Sequence, residues 1–196
     1  MFRYQLLIEY DGTNYIGWQS QPKGISIQNT IEKKLSKLLK EKIKLIGSGR
    51  TDRGVHAVSQ SAHFDTKKKI NNKFKFLNSI NYFLKKNLIT ITDIKIRNNK
   101  FHSRYSAKKR IYKYVILNRN SRPSLQLNRA WFVIKHLDIK KIKKGCKILE
   151  GTHDFSAYRS SKCSANNPIR RLDLVKTKKI NDNIIITFQS KSFLQQ

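Results

Sequence analysis

From Phe2 to Tyr10 every second residue is large and apolar, namely Phe2, Tyr4, Leu6, Ile8 and Tyr10. A period of two lays all five on one face of an extended chain, so the segment reads as a strand with a face that must be covered. The period then changes. Ser26 can cap a helix in which Ile27, Ile31, Leu35, Leu38 and Leu39 form one apolar stripe while lysines take the other side. "IKLIGSG" returns extended, and Val58, Gln60, Ala62 and Phe64 then alternate against Ser59, Ser61, His63 and Asp65 as a second half-buried strand. "NNKFKFLNSINYFLKKNL" predicts a helix and "TITDIKI" a strand. The order strand, helix, strand, strand, helix, strand predicts an α+β layer, with helices on one face of a largely antiparallel mixed sheet.

A second series starts near residue 103. "KRIYKYVILN" and "RAWFVIK" read as strands separated by a turn-rich stretch containing Pro123. Asp138 can cap a helix carrying Ile139, Ile142, Cys146 and Leu149, with Gly151 at its C-terminal end. "LDLVKTKKINDNIIITFQS" predicts a hairpin turning at Asn181 to Asn183. The two series resemble each other in element order. We therefore expect two similar subdomains, residues 1–102 and 103–196, joined around residues 100 to 108.

The chain carries 42 Lys+Arg against 12 Asp+Glu, a formal charge of +30. Lys, Asn and Ile recur throughout, so compositional drift supplies a bland account of part of that excess. The default partner is still a polyanion, because clustered cations gain affinity by releasing the counterions condensed on phosphates; nucleic acid comes first, ahead of ribosomal surface or acidic membrane. Cys146 and Cys163 have no CxxC spacing and suggest neither a disulfide framework nor a zinc site, and Cys146 reads as core. "MFRYQLLIEYDG" enters its alternating pattern without a signal or transit segment, and no run of about 18 apolar residues offers a membrane span. The cytoplasm is the expected compartment.

Against this charge, "IGSGRTDRGVHAVSQSAHFDT" sets the acidic Asp52 between Arg50 and Arg53 in a glycine-punctuated loop. Asp and Gly are ordinary turn residues, and an Asp side chain commonly bonds nearby backbone amides. A carboxylate facing nucleic acid would nonetheless repel the ligand that the rest of the surface attracts, and catalysis is one reason to keep it. Metal-dependent cleavage would draw on Glu9, Asp11, Asp52 and Asp65, but no tight carboxylate cluster or metal-ligating His spacing is present. His56, His63, His102, His136 and His153 read individually as structural or RNA-facing, and a Ser/His/Asp hydrolase lacks its GxSxG elbow.

Four stretches, "EYDGTNYIGWQSQP", "GSGRTDRGVHAVSQSAHFDT", "FHSRYSAKKRIYKYVI" and "EGTHDFSAYRSSKCSANNPIRRL", together resemble the tRNA pseudouridine synthase A family in the same order, across nearly the whole chain. The resemblance implies the pseudouridine synthase fold: two α/β subdomains related by a pseudo-twofold, with the active-site cleft between them and a basic surface that takes tRNA. It implies a homodimer that isomerises uridine to pseudouridine in the anticodon stem-loop, with no metal, nucleotide or redox cofactor. Asp52 takes the place of the catalytic aspartate, and Tyr112, in "RIYKY", that of the tyrosine packing on the target base. Without that likeness Tyr112 is simply an inward-facing strand aromatic. Arg50 would orient Asp52 or a phosphate, Arg53 is an expected RNA contact, and Arg159 and Arg170 would approach the RNA backbone. Asp11, Tyr15, Trp18 and Gln19 are read as cleft or RNA-positioning residues, with packing an equal account of Trp18.

In the family, the segment matching "ITFQSKSFLQQ" leads into an apolar helix opening with a Met-Val-Arg type motif, whose arginine pairs with the catalytic aspartate. Those residues are not in this sequence. Relative to the family we expect a C-terminally truncated chain with an incomplete second subdomain. Two outcomes stay open: a tRNA-modifying enzyme, and a basic RNA-binding homologue that keeps the surface without the catalysis.

Overall fold

The alternation at the N-terminus becomes the middle of a sheet. In the computed structural model, which describes residues 1–160 and 165–194, strand β1 (Phe2–Tyr10) pairs antiparallel on one side with β3 (Ala57–Thr66) and on the other with β4 (Ile89–Arg97). A short β2 (Ile46–Gly47) adds to β3, giving the order β2-β3-β1-β4. Tyr4, Leu6, Ile8 and Tyr10 are all buried on one face. Against them pack α1 (Ile27–Leu39) and α2 (Lys73–Leu84), which bring Ile27, Ile31, Leu35 and Leu39, and Phe76, Ile80 and Leu84, into the same core. Each fully buried side chain of this size stabilises the fold by about 1.5 to 3 kcal/mol. The helix starts are fixed locally: Ser26 Oγ accepts from Asn29 N at 3.2 Å, and Asn72 Oδ1 from Lys75 N at 2.8 Å.

The alternation expected in β3 fails at Val58, which is 79% exposed. Ile8 faces Gln60 but Tyr10 faces Ala57, so two steps along β1 match three along β3. That extra residue is a β-bulge; Ala57 takes the inward place and Val58 is turned out. His63, on the face read as solvated, is also buried. The segment after β4 folds back over it: Ser103 N donates to His63 Nδ1 at 3.2 Å. Arg3 anchors the same segment. Its Nε and Nη2 donate to the two oxygens of Asp65, each at 2.7 Å, and its Nη1 to the carbonyls of Asn99 and Phe101 at 2.7 Å.

The chain divides into two compact units, Met1–Ala107 and Lys108–Gln196. In the second, β5 (Arg110–Asn118), β6 (Trp131–Val133), β9 (Leu174–Ile180) and β10 (Asn183–Ser190) form a sheet in the order β6-β5-β10-β9. All neighbours are antiparallel except β5 and β6, whose parallel pairing makes the sheet mixed. Between β6 and β9 along the chain lie α3 (Ile139–Ile148) and a separate antiparallel pair, β7 (Gly151–Asp154) with β8 (Ile169–Leu172). Asp138 caps α3 by accepting from Lys140 N and Lys141 N. Cys146 packs with Leu172 and Val175 as expected of a core residue, whereas Cys163 falls outside the described residues. The β9–β10 turn is made by Asn181, at φ 50, and Asp182. Among the described residues no helix is long and apolar enough to cross a membrane.

His63 supplies a test of this packing. Burial, then the nearby Arg3 and His102, push its imidazole down from 6.5 to about 4, with Asp65 opposing. Between those values the unfolded chain binds a proton that the folded chain refuses, so stability falls as pH drops from about 6.5 to about 4, by at most ~1.4 kcal/mol per unit. Urea denaturation across that range should show this loss, and His63→Gln should flatten the slope.

Candidate active site

Residues 48–56 leave β2 and return into β3, and their shape is set by residues 10–18. Thr51 is held twice: its carbonyl accepts from Trp18 N at 2.9 Å, and its Oγ1 meets Tyr10 Oη at 2.8 Å. Gly54 N donates to Tyr15 O at 3.4 Å, and Val55 N to Asp52 O at 3.2 Å, closing a turn whose corner is Arg53 and Gly54. Gly12 N donates to His56 Nδ1 at 3.1 Å, and Asp11 Oδ1 lies 3.2 Å from that nitrogen while also accepting from Thr13.

Two glycines allow this approach. A methyl group on Gly12 would overlap the Val55 carbonyl, and one on Gly17 would sit 2.6 Å from Thr51 O. Gly17 also adopts φ +117, which L side chains rarely tolerate. Behind the loop, Trp18 is buried and tilts against Tyr10 with ring centroids 6.1 Å apart. Tyr15 donates its hydroxyl to Asn87 O at 2.6 Å, and burial pushes its phenol up. Tyr15 and Trp18 are therefore props beneath the loop, which is the packing account given for Trp18 and one not foreseen for Tyr15. Asp11 likewise fastens the loop. Gln19 is half-buried.

The loop presents Asp52 to solvent. Nearly every acidic side chain of this protein is engaged. Asp65 pairs with Arg3, Asp93 with Lys73 and Lys95, Glu150 with Lys147, Asp173 with Arg171 and Asp182 with Arg119. Glu32 and Glu41 bind Leu45 N and Thr66 Oγ1, Asp11 is bound as above, and Asp138 and Asp154 cap a helix and a turn. Among the described residues only Glu9 and Asp52 accept no hydrogen bond and form no ion pair. Arg50 and Arg53 are exposed on either side of Asp52 without bonding it. No three of the described His, Cys, Asp and Glu residues come together as metal ligands would, and Asp11 and Asp65 are already committed elsewhere.

The remaining expected site residues lie in the second unit. Tyr112 is half-buried on β5 and meets Phe193 edge-on, 4.8 Å between ring centroids. Arg159 follows the short helical turn Ser156–Tyr158 and donates to Ala165 O at 3.1 Å. Arg170 pairs across from His153; its Nη1 donates to the carbonyls of Asn167 and Ile169, each at 2.7 Å, while its Nε is buried with no partner among the described residues. Sequence reasoning missed the Asp11–His56 contact and the Arg3–Asp65 pair. The glycines in "DGT" and "IGW" were the available signal for the first; nothing local signalled the second.

The model of the tRNA pseudouridine synthase family matches residues 6–106 and 146–196. Among curated proteins, the tRNA pseudouridine synthase A of Pelagibacter ubique (strain HTCC1062) is 59% identical over 196 residues, covering 100% of this chain and 80% of that protein. The chain belongs to the tRNA pseudouridine synthase A family. The same-named protein of Neorickettsia sennetsu is 42% identical, over 98% of this chain and 79% of its own length, and that of Orientia tsutsugamushi (strain Boryong) is 35% identical, over 99% and 82%. Within this family match fall the Asp52 loop, Arg159 and Arg170; Tyr112 lies in the interval between the two matched stretches.

Gly17→Ala tests whether the loop's shape is set by backbone approach. We expect a large loss of family activity together with a lowered Tm, because the added methyl must displace Thr51. The same change at exposed Gly145, where nothing lies within 4 Å, should leave activity unaltered.

Proposed function

We propose that this chain isomerises uridine to pseudouridine in the anticodon stem-loop of tRNA, with Asp52 as the catalytic group. The observation that carries the reading is an uncommitted carboxylate on a hydrogen-bonded loop, in a +30 chain whose acidic residues are otherwise almost all engaged. Family membership supplies the reaction class, an isomerisation, and the tRNA substrate.

The atom balance is closed. The N1–C1′ glycosidic bond breaks, the base turns, a C5–C1′ bond forms, and the C5 proton is lost as N1 gains one. Substrate and product have the same composition, so the conversion needs no net oxidant or group donor. Asp52 initiates it by attacking the sugar or base as a nucleophile, or by taking a proton from the ribose. An exposed carboxylate suits both routes, since its lone pairs are not spent on the fold. The target uridine is first extruded from its stack at a cost of a few kcal/mol, and in this reading the Tyr112 ring receives its face. Arg50, Arg53, Arg159 and Arg170 meet the phosphates, Arg through its planar fork. The active form in this reading is a cytoplasmic homodimer.

The test is pseudouridine formation in unmodified tRNA transcript. Asp52→Ala should abolish turnover while shifting stability by no more than about 0.5 kcal/mol, since the side chain is exposed and unbonded, and should leave tRNA binding intact. Continued turnover would remove Asp52 from the chemistry. Unchanged turnover in Tyr112→Ala would likewise remove the base-stacking role.

A further inference from the structure

The segment between β4 and the end of the first unit carries a feature that the reaction does not use. Arg97, Phe101, His63, His102, Tyr105 and Arg104 form a ladder of rings bracketed by guanidinium groups. The Arg97 guanidinium lies 5.2 Å from the Phe101 ring centre, and Phe101 meets His63 edge-on at 5.9 Å. His63 then meets His102 at 4.8 Å, and His102 lies against Tyr105 at 4.4 Å with the planes tilted by 33°. The ladder passes through the interior at His63, 1% exposed, and reaches water at Tyr105, 76% exposed.

Its outer rung is held in place. His63 is fixed by Ser103 N, and His102 Nδ1 accepts from Arg104 N at 3.2 Å. Ser106 N donates to His102 O at 2.7 Å while Ser106 Oγ accepts from His102 N at 3.0 Å. Tyr105 is therefore backed by a tilted ring on a bonded loop, so less conformational freedom is left to lose on binding. Its setting is cationic: Arg97, Lys100 and Arg104 are exposed, residues 97–107 contain no acidic side chain, and Asp65 is neutralised by Arg3. Arg104 stands 5.9 Å from the Tyr105 ring centre, near the outer limit of a cation–π contact. Tyr82, also exposed, differs in that Lys85 already lies 4.3 Å over its ring.

We propose that Tyr105, backed by His102, is a stacking site for an unpaired nucleobase of the RNA substrate, additional to the base that reacts. A preordered aromatic face amid cations is the arrangement by which proteins hold single-stranded bases with little sequence preference. The proposal rests on the tRNA reading above. It adds a contact for the RNA besides the reacting nucleotide.

The experiment is fluorescence anisotropy of labelled tRNA transcript titrated with the full chain at several salt concentrations. Tyr105→Ala should weaken binding roughly five- to hundredfold without changing the dependence of log K on log salt, and Tyr105→Phe should bind as the unaltered chain does. Transcripts made abasic at one unpaired position at a time should include one that binds Tyr105→Ala and the unaltered chain equally. Undiminished affinity in Tyr105→Ala overturns the proposal, as does a salt slope smaller by about one, which marks a phosphate contact. A changed sedimentation coefficient for Tyr105→Ala also overturns it, by placing the ring against another copy of the chain. Failure of the unaltered chain to bind tRNA would overturn the tRNA reading itself, and this inference with it.

Discussion

The approach of two stretches of main chain, residues 10–18 and residues 51–56, is the constraint on which the site depends. Gly12 and Gly17 leave no room for a side chain between them. Trp18, Tyr15, Tyr10 and Gly12 then hold the opposite strand of the contact by hydrogen bonds at Thr51, Gly54 and His56. The aim of Asp52 is thus set by backbone, one turn away from the bonds that fix it, and not by anything gripping its carboxylate. A loop built this way leaves the carboxylate oxygens available because its geometry is secured elsewhere.

The charge distribution follows a related logic. A chain with so few acidic residues spends them on ion pairs and caps that the fold needs, and the cations left over face outward. Such a surface attracts phosphates over distances of a Debye length or so, while in the proposed reading close contact is left to individual arginines and rings. Long-range attraction and local selection therefore reside in different residues.

Much of the first unit was legible because its periodicities are clean. Leu6, Ile8, Ile31 and Leu35 are buried where the alternation and the helix stripe place them, and Ser26 and Asp138 cap the helices they precede. Val58 was not legible, because a bulge depends on how two strands register and leaves no trace in the pattern of one. Neither was His63, whose burial depends on a segment 40 residues away folding over it. The parallel pairing of β5 with β6 escaped for the same reason. In the candidate site, "GRTDRG" singled out Asp52 and packing was one account of Trp18, but local sequence could not tell that Tyr15 supports the loop from beneath.

A carboxylate that supports no part of the fold has an evolutionary consequence. The Asp52 side chain bonds neither core nor loop, so selection for a folded, cationic surface cannot defend that position. Only turnover can. A lineage that stopped using the chemistry would lose the aspartate first and the glycines beneath it much later, which makes the state of residue 52 a more sensitive record of catalytic use than the persistence of the fold around it.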